Sequence, residues 1–286
     1  MSCGNSSSKK FDIEGHRGCR GLMPENTIPA MIKAIDLNVN TLEMDVVVTA
    51  DKKVVVSHEP YFNHAITTPP SGDTIDANNE WSYNIYHMTY DSVKLFDVGL
   101  KPYPRFPEQH KMKVVKPLLT DLIDSVEAYL LKTNHPKVNY NIEIKSLDSS
   151  DNLYHPAPEE YADLLMNVIN EKKISDRVII QSFDPRSLKV MTEKYPDMKL
   201  SFLIDVGTVI PLKDFKNTFG FKPAIMSPDY SLLTKEIVDS LHRQNIEVIP
   251  WTVDDVTDAK NIYKMDVDGI ITDYPDIINL KTISQQ

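Results

Sequence analysis

Residues 41–59 read TLEMDVVVTADKKVVVSHE, from Thr41 to Glu59. The first half is dense in strand-forming residues, and a second β-branched run, Val54–Val56, turns back to deliver His58. Side chains at i and i+2 of a strand share a face, so Glu43 and Asp45 project together with a histidine brought near. Two carboxylates side by side on a buried face repel unless a cation or a proton lies between them. A divalent metal held by oxygens is one reading. The other turns both acids to solvent and buries Met44 and Val46. The pair alone leaves both open.

The flanking sequence supplies the context. Phe11–His16 reads as a strand ending in Gly15-His16-Arg17-Gly18, and Met23–Thr27 leads into a helix capped by Asn26 or Thr27. Residues 60–117 break the rhythm, being rich in Pro, Tyr, Asn, Asp and His. A structureless loop of that length is unusual in a compact domain, so an inserted subdomain or lid is expected, with short helices around 92–96. Alternation then resumes, with strands expected at 138–145, 178–183, 199–204, 224–228, 246–253 and 269–272 and helix-compatible segments between them. Asp184 and Pro185 form a clear helix start.

Eight strands, each followed by a segment able to form a helix, predict an α/β protein with a closed (β/α)8 TIM barrel. An open doubly wound sheet is the alternative, but no G-x-G-x-x-G follows the first strand. The domain plan is a tail over 1–10 and a single barrel domain over 11–286 carrying the insertion.

The 286 residues are 41% hydrophobic and 25% charged, ample for a large core, with a net charge of −10. That balance argues against a nucleic-acid partner but not against a small phosphate ester, because a few cations or a metal can invert the potential in a cleft. Cys3 and Cys19 make no disulfide framework, and Cys19 reads as a small packing residue. No run of about 18 apolar residues is present. The opening MSCGNSSSKK resembles the start of a mature bacterial lipoprotein. On that reading Cys3 carries a lipid, residues 4–10 are a tether, and the protein sits in the cell envelope or periplasm. The other reading is a disordered tail on a cytoplasmic protein.

In such a barrel, function gathers at the carboxyl ends of the strands. His16-Arg17, Glu43, Asp45, His58, Glu143-Ile144-Lys145, Gln181-Ser182-Phe183 and Trp251-Thr252 all fall there. Convergence on one rim favours a site over separate local explanations. Carboxylates without cysteine suit a hard cation, Mg²⁺ or Ca²⁺ with Mn²⁺ as a further option. Arg17 and Lys145 suit phosphate, and two histidines suit a proton relay, so phosphodiester hydrolysis is the expected chemistry.

The ordered set HRG (His16–Gly18), PENT (Pro24–Thr27), E-x-D (Glu43, Asp45), T-x-D (Thr49, Asp51), the VVSH run ending at His58, EIK (Glu143–Lys145), QSF (Gln181–Phe183) and WT (Trp251, Thr252) resembles the glycerophosphodiester phosphodiesterase family over residues 12–276. The resemblance implies a TIM barrel of the phosphatidylinositol-phospholipase type. It implies His16 and His58 as the acid–base pair and Glu43, Asp45 and Glu143 as ligands of one divalent cation. Arg17 and Lys145 are then phosphate contacts, Glu25 a support, Trp251 a pocket wall, and the insertion a cap over the substrate. The implied reaction releases glycerol-3-phosphate and an alcohol from a small glycerophosphodiester, with no nucleic acid and no membrane contact beyond a lipid on Cys3. A phospholipase D-like or lysophospholipase activity is a second possibility, disfavoured by the scarcity of basic charge in the insertion before Lys101. A non-catalytic phosphodiester-binding barrel is a third, disfavoured because no histidine or acid of the set is missing. One departure stands out: the family has His-Asp where this chain has His58-Glu59.

Overall fold

A computed structural model describes residues 11–285. The strands are β1 (Asp12–Gly15), β2 (Thr41–Val48), β3 (Val54–Val56), β4 (Asn139–Ile144), β5 (Val178–Ser182), β6 (Lys199–Ile204), β7 (Ile225–Pro228), β8 (Glu247–Val248) and β9 (Gly269–Thr272). Their order is β8-β7-β6-β5-β4-β2-β1-β9, each neighbour parallel, with β3 antiparallel to β2 and off the path. Backbone bonds from Asp268 N to Val248 O and from Ile271 N to Pro250 O, both 2.9 Å, join the two ends. The expected eight-stranded barrel is therefore the observed one. The expected tail over 1–10, with Cys3, lies outside the described residues.

Local sequence accounts for the helix boundaries. In α1 (Ile28–Asp36) the cap is Thr27, whose Oγ1 accepts from Ala30 N, and the helix stops at Asn38 in the left-handed region at φ 63°. That leaves Asn26 free for another task. In α2 (Tyr90–Val93) a single turn forms within the insertion. Helix α3 (Leu119–Thr133) buries Leu119, Leu122, Ile123, Val126 and Leu130, one stripe at helical spacing, each worth about 1.5–3 kcal/mol when fully buried. Then come α4 (Pro158–Lys172) and α5 (Pro185–Lys194), whose cap Asp184 accepts from Arg186 N. The set ends with α6 (Phe215–Phe219), α7 (Lys235–His242), α8 (Val256–Tyr263) and α9 (Leu280–Ile283). Among the described residues no helix is long and apolar enough to cross a membrane.

Two stretches differ from the sequence-based expectation. The strand expected over 246–253 is regular only at β8, because Pro250 has no N–H to donate. Bonds from Ile249 N to Met226 O and from Trp251 N to Pro228 O still carry the chain to the rim. The insertion is irregular but packed: Phe62, Ile75, Ile85, Val93, Phe96 and Val98 cluster on Val47 of β2 and Val55 of β3. Phe62 and Phe96 stack with centroids 3.9 Å apart. Asp97 replaces missing backbone pairing by accepting from the N–H groups of Gly99, Leu100 and Val114.

Candidate active site

All eight residues of β2 are buried, Glu43 and Asp45 included, which removes the solvent-facing reading of the two acids. Parallel pairing sets Asp45 beside Glu143 of β4, and Glu143 beside Gln181 of β5. Oxygens of Glu43, Asp45 and Glu143 lie within 4.8 Å of one another. Burial and the charge of Asp45 raise Glu43 well above the usual carboxylate range. Burial also pushes Glu143 up to about 7, against the opposing pull of Lys145. Burial would raise Asp45 as well, but Lys145, His58 and Arg17 carry it well below its ordinary value. The cluster is thus short of positive charge, and its donor set is three hard oxygens.

The turn after β1 places His16 and Arg17. Arg17 has φ 49° and Gly18 has φ 86°, and a Cβ on Gly18 would lie 2.7 Å from the Ala30 backbone. This tight turn aims Arg17 N at Glu43 Oε2, 2.7 Å away. Arg17 Nη1 donates to Glu25 Oε1 at 2.8 Å, so the support expected of Glu25 is a direct ion pair. Arg17 Nε lies 3.4 Å from Asp45 Oδ2, is buried, and has no hydrogen-bond partner. Lys145 Nζ lies 2.9 Å from Glu143 and 3.5 Å from Asp45.

Both histidines are pinned through Nδ1. His16 Nδ1 is 2.7 Å from Asp273 Oδ1, and His58 Nδ1 is 2.9 Å from Glu59 Oε1. Glu59 stands where the resembled family has aspartate, and its carboxylate still reaches the imidazole while staying outside the acidic cluster. Burial drives His16 down to about 4, although Asp273 opposes it. Burial, followed by the charges of Lys145 and Arg17, lowers His58.

Several supporting contacts were not visible in the sequence pattern, although Asn26 and Gln181 lie in motifs it contains. Asn26 donates to Asp45 Oδ2 at 2.8 Å and accepts from Asp45 N at 3.2 Å. Inside the barrel, Asn141 donates to Glu14 and to Gln181, and Gln181 donates to Glu43 Oε1 at 2.8 Å. Arg20 makes a two-pronged contact with Asp273, at 2.9 and 2.7 Å. For Asp273 the available signal was a charged residue directly after the last strand.

The rim opens into a cavity of about 360 Å³ that brings together His16, Arg17, Glu43, Asp45, His58, Glu143, Lys145 and Trp251, with Arg20 and Arg105 as additional cations. Trp251 is a wall, held by its indole N–H to Ser227 O at 2.9 Å and by an edge contact to Phe183. A buried arginine, a partly exposed lysine and two imidazoles around a carboxylate cluster can hold an anion, bind a divalent ion and move protons.

The comparisons with known proteins agree with this fold. A glycerophosphodiester phosphodiesterase of Bacillus altitudinis is 30% identical over 273 residues, covering 92% of this chain and 95% of its own. A Silicibacter pomeroyi structure named for the same activity superimposes with a TM-score of 0.85 at 27% identity, covering 97% of this chain and 94% of its own. An Oleispira antarctica phosphodiesterase, solved with the product sn-glycerol-3-phosphate, has the same fold at a TM-score of 0.75 and 20% identity, covering 96% of this chain and 97% of its own. A mouse lysophospholipase D is also similar, at 24% identity over 276 residues, 91% of this chain and 82% of its own. The model of the glycerophosphoryl diester phosphodiesterase family matches residues 16–277, and the chain belongs to that family.

Proposed function

We propose that this protein is a metal-dependent glycerophosphodiester phosphodiesterase, splitting small glycerophosphodiesters into glycerol-3-phosphate and an alcohol. The observation that carries the reading is the buried triad Glu43, Asp45 and Glu143, with oxygens within 4.8 Å, flanked by two histidines each fixed at Nδ1 by a carboxylate. The triad would hold one divalent cation, with Mg²⁺ and Ca²⁺ the ions its hard oxygens suit. Such an ion supplies positive charge to a phosphate oxygen as negative charge develops.

The chain's own residues do the rest. Arg17, whose Nε makes no hydrogen bond but lies in ion-pair range of Asp45, and Lys145 supply two positive charges for the phosphate. With Nδ1 donating to Asp273, His16 presents Nε2 as the base that takes a proton from the attacking hydroxyl. His58 lines both this cavity and a neighbouring one walled by Tyr61 and Trp81 of the insertion and by Tyr154, whereas His16 lines the first of the two. That placement supports His58 as the acid that protonates the leaving alkoxide. A new P–O bond forms to the attacking oxygen while the bond to the alcohol breaks; water as the nucleophile gives glycerol-3-phosphate directly, whereas attack by the neighbouring glycerol hydroxyl gives a cyclic phosphate that water then opens.

The test is release of glycerol-3-phosphate from a panel of diesters with Mg²⁺, Ca²⁺ or EDTA, beside Glu43→Ala and His16→Ala. Turnover that needs the ion and disappears in both variants supports the reading. Ion binding by a folded protein without turnover on any diester sinks it in favour of a binding-only barrel.

A further inference from the structure

We propose that Asn141 and Gln181, anchored on Glu14, are positioning residues that fix the Glu43 carboxylate from inside the barrel and thereby set the affinity of the acidic triad for its ion. The inference rests on the reading above and adds residues of β1, β4 and β5 to it. Asn141 Nδ2 donates to Glu14 Oε2 at 2.7 Å and to Gln181 Oε1 at 3.1 Å, and Gln181 Nε2 donates to Glu43 Oε1 at 2.8 Å. None of the four side chains belongs to a residue more than 2% exposed. The column has an acceptor at each end, so each amide satisfies it in one orientation only. Arg17 N holds the other oxygen of Glu43, Oε2, at 2.7 Å. Each oxygen of Glu43 thus takes one fixed donor and keeps a lone pair for an ion.

The fold by itself does not call for polar side chains at these positions. Ile179, on the same face of β5 as Gln181, clusters with Ile225, Ile249 and Ile271, the ordinary branched filling of such a barrel. The polar column beside it costs stability, because Glu14 Oε1 and Asn141 Oδ1 are buried without a hydrogen-bond partner. A buried network that is not fully paired is expected where it serves a site rather than the core. Placement agrees with that role. Asn141 is the register neighbour of Glu43 across β2 and β4, and Gln181 is that of Glu143 across β4 and β5. Each amide therefore stands one strand away from a candidate ligand. Burial, with Asp12 adding to it, raises Glu14 well above the usual carboxylate range, so the column needs no countercharge at its foot.

The test is calorimetric titration of Mg²⁺ and Ca²⁺ into the metal-free protein and its Gln181→Met, Asn141→Leu, Glu14→Met and Glu14→Gln variants, with thermal melts to confirm folding. Gln181→Met should weaken the ion Kd by about 10–100-fold and Asn141→Leu by about tenfold, with the rate recovered once the ion is saturating. Glu14→Met should weaken it in the same direction. Glu14→Gln, which keeps an acceptor for Asn141, should restore the wild-type Kd. Because the three residues act through one carboxylate, adding Glu14→Met to Gln181→Met should cost nothing more. Should a single variant fail to fold, the triple variant Glu14→Met, Asn141→Leu, Gln181→Met replaces the whole column by apolar groups of similar shape, and it should bind the ion as weakly as Gln181→Met. Folded Asn141→Leu and Glu14→Met proteins with the wild-type Kd, or losses that add up in the combined variants, overturn this inference and leave the proposed activity standing. A wild type that binds neither ion overturns both.

Discussion

His16 Nδ1 and Asp273 Oδ1 lie 2.7 Å apart although 257 positions separate them, and the same carboxylate clamps Arg20. Parallel pairing of β1 with β9 makes the contact, since His16 and Asp273 each directly follow one of these strands. Asp273→Asn should lower kcat by about 10²–10⁴-fold with a smaller effect on KM, because the imidazole loses the group that fixes its tautomer. Burial tends to raise the Asp273 carboxyl, yet His16 and Arg20 hold it well below the usual range. A depressed carboxyl contributes stability that is present above its unfolded value near 3.9 and is lost as pH falls through the folded value. The wild type should therefore outlast Asp273→Asn at neutral pH, with the gap in Tm narrowing below about pH 4. A gap that widens there contradicts the assignment.

Loading the acidic triad should stabilise the fold. An ion at a hundred times its Kd adds about 2.7 kcal/mol, or roughly 5–10 °C in Tm for a chain of this size. Thermal melts with Mg²⁺, Ca²⁺ and EDTA measure it. Glu143→Gln should remove most of the shift and keep the fold. An undiminished shift in that variant would mean that the ion binds elsewhere.

Leaving-group chemistry separates the two histidines. A p-nitrophenolate departs without help from an acid, while an alkoxide needs a proton. His58→Ala should cost about 10²–10⁴-fold in kcat on an alkyl diester and much less on a p-nitrophenyl diester, whereas His16→Ala should cost similar amounts on both. Kinetics on the two substrates decide the matter, and a reversed pattern exchanges the roles.

Glu59 is coupled to the buried amine of Lys116. Lys116 Nζ donates to Ser57 Oγ at 2.7 Å, burial lowers its pKa, and Glu59 is the carboxylate that opposes this most strongly. Glu59→Gln leaves that ammonium without its main countercharge and should destabilise the protein by about 3–5 kcal/mol. It should also slow turnover through His58. Adding Lys116→Met should recover much of the stability but not the rate. Urea melts and kcat on the single and double variants test this, and recovery of both together would assign Glu59 a purely structural role.

Cys19 should be chemically silent in the native state. It is fully buried, its thiol donates to Ala30 O at 3.3 Å, and burial pushes it up to about 12. A thiol reagent at pH 8 should modify Cys19 only after denaturant is added, as followed by peptide mass analysis. Rapid modification of the folded protein would contradict the packing role.

The order of strands and helices, the caps at Thr27 and Asp184, and the acids sharing one face of β2 all follow from local pattern, because strand and helix periods act within a few residues. The candidate acids, histidines and cations were legible for the same reason: each sits at a strand end in a recognisable short motif. Which face of β2 is buried could not be read from one strand, since both faces of a barrel strand are covered and alternation disappears. Asn26 looked like a cap and serves Asp45 instead, because Thr27 takes the cap and the left-handed turn at Asn26 swings its amide inward. The Asp273–His16 contact and the cavity lined by Tyr61, Trp81 and Tyr154 join residues far apart in sequence. Barrel closure and packing of the insertion bring them together, and those long-range contacts leave no periodic trace along the chain.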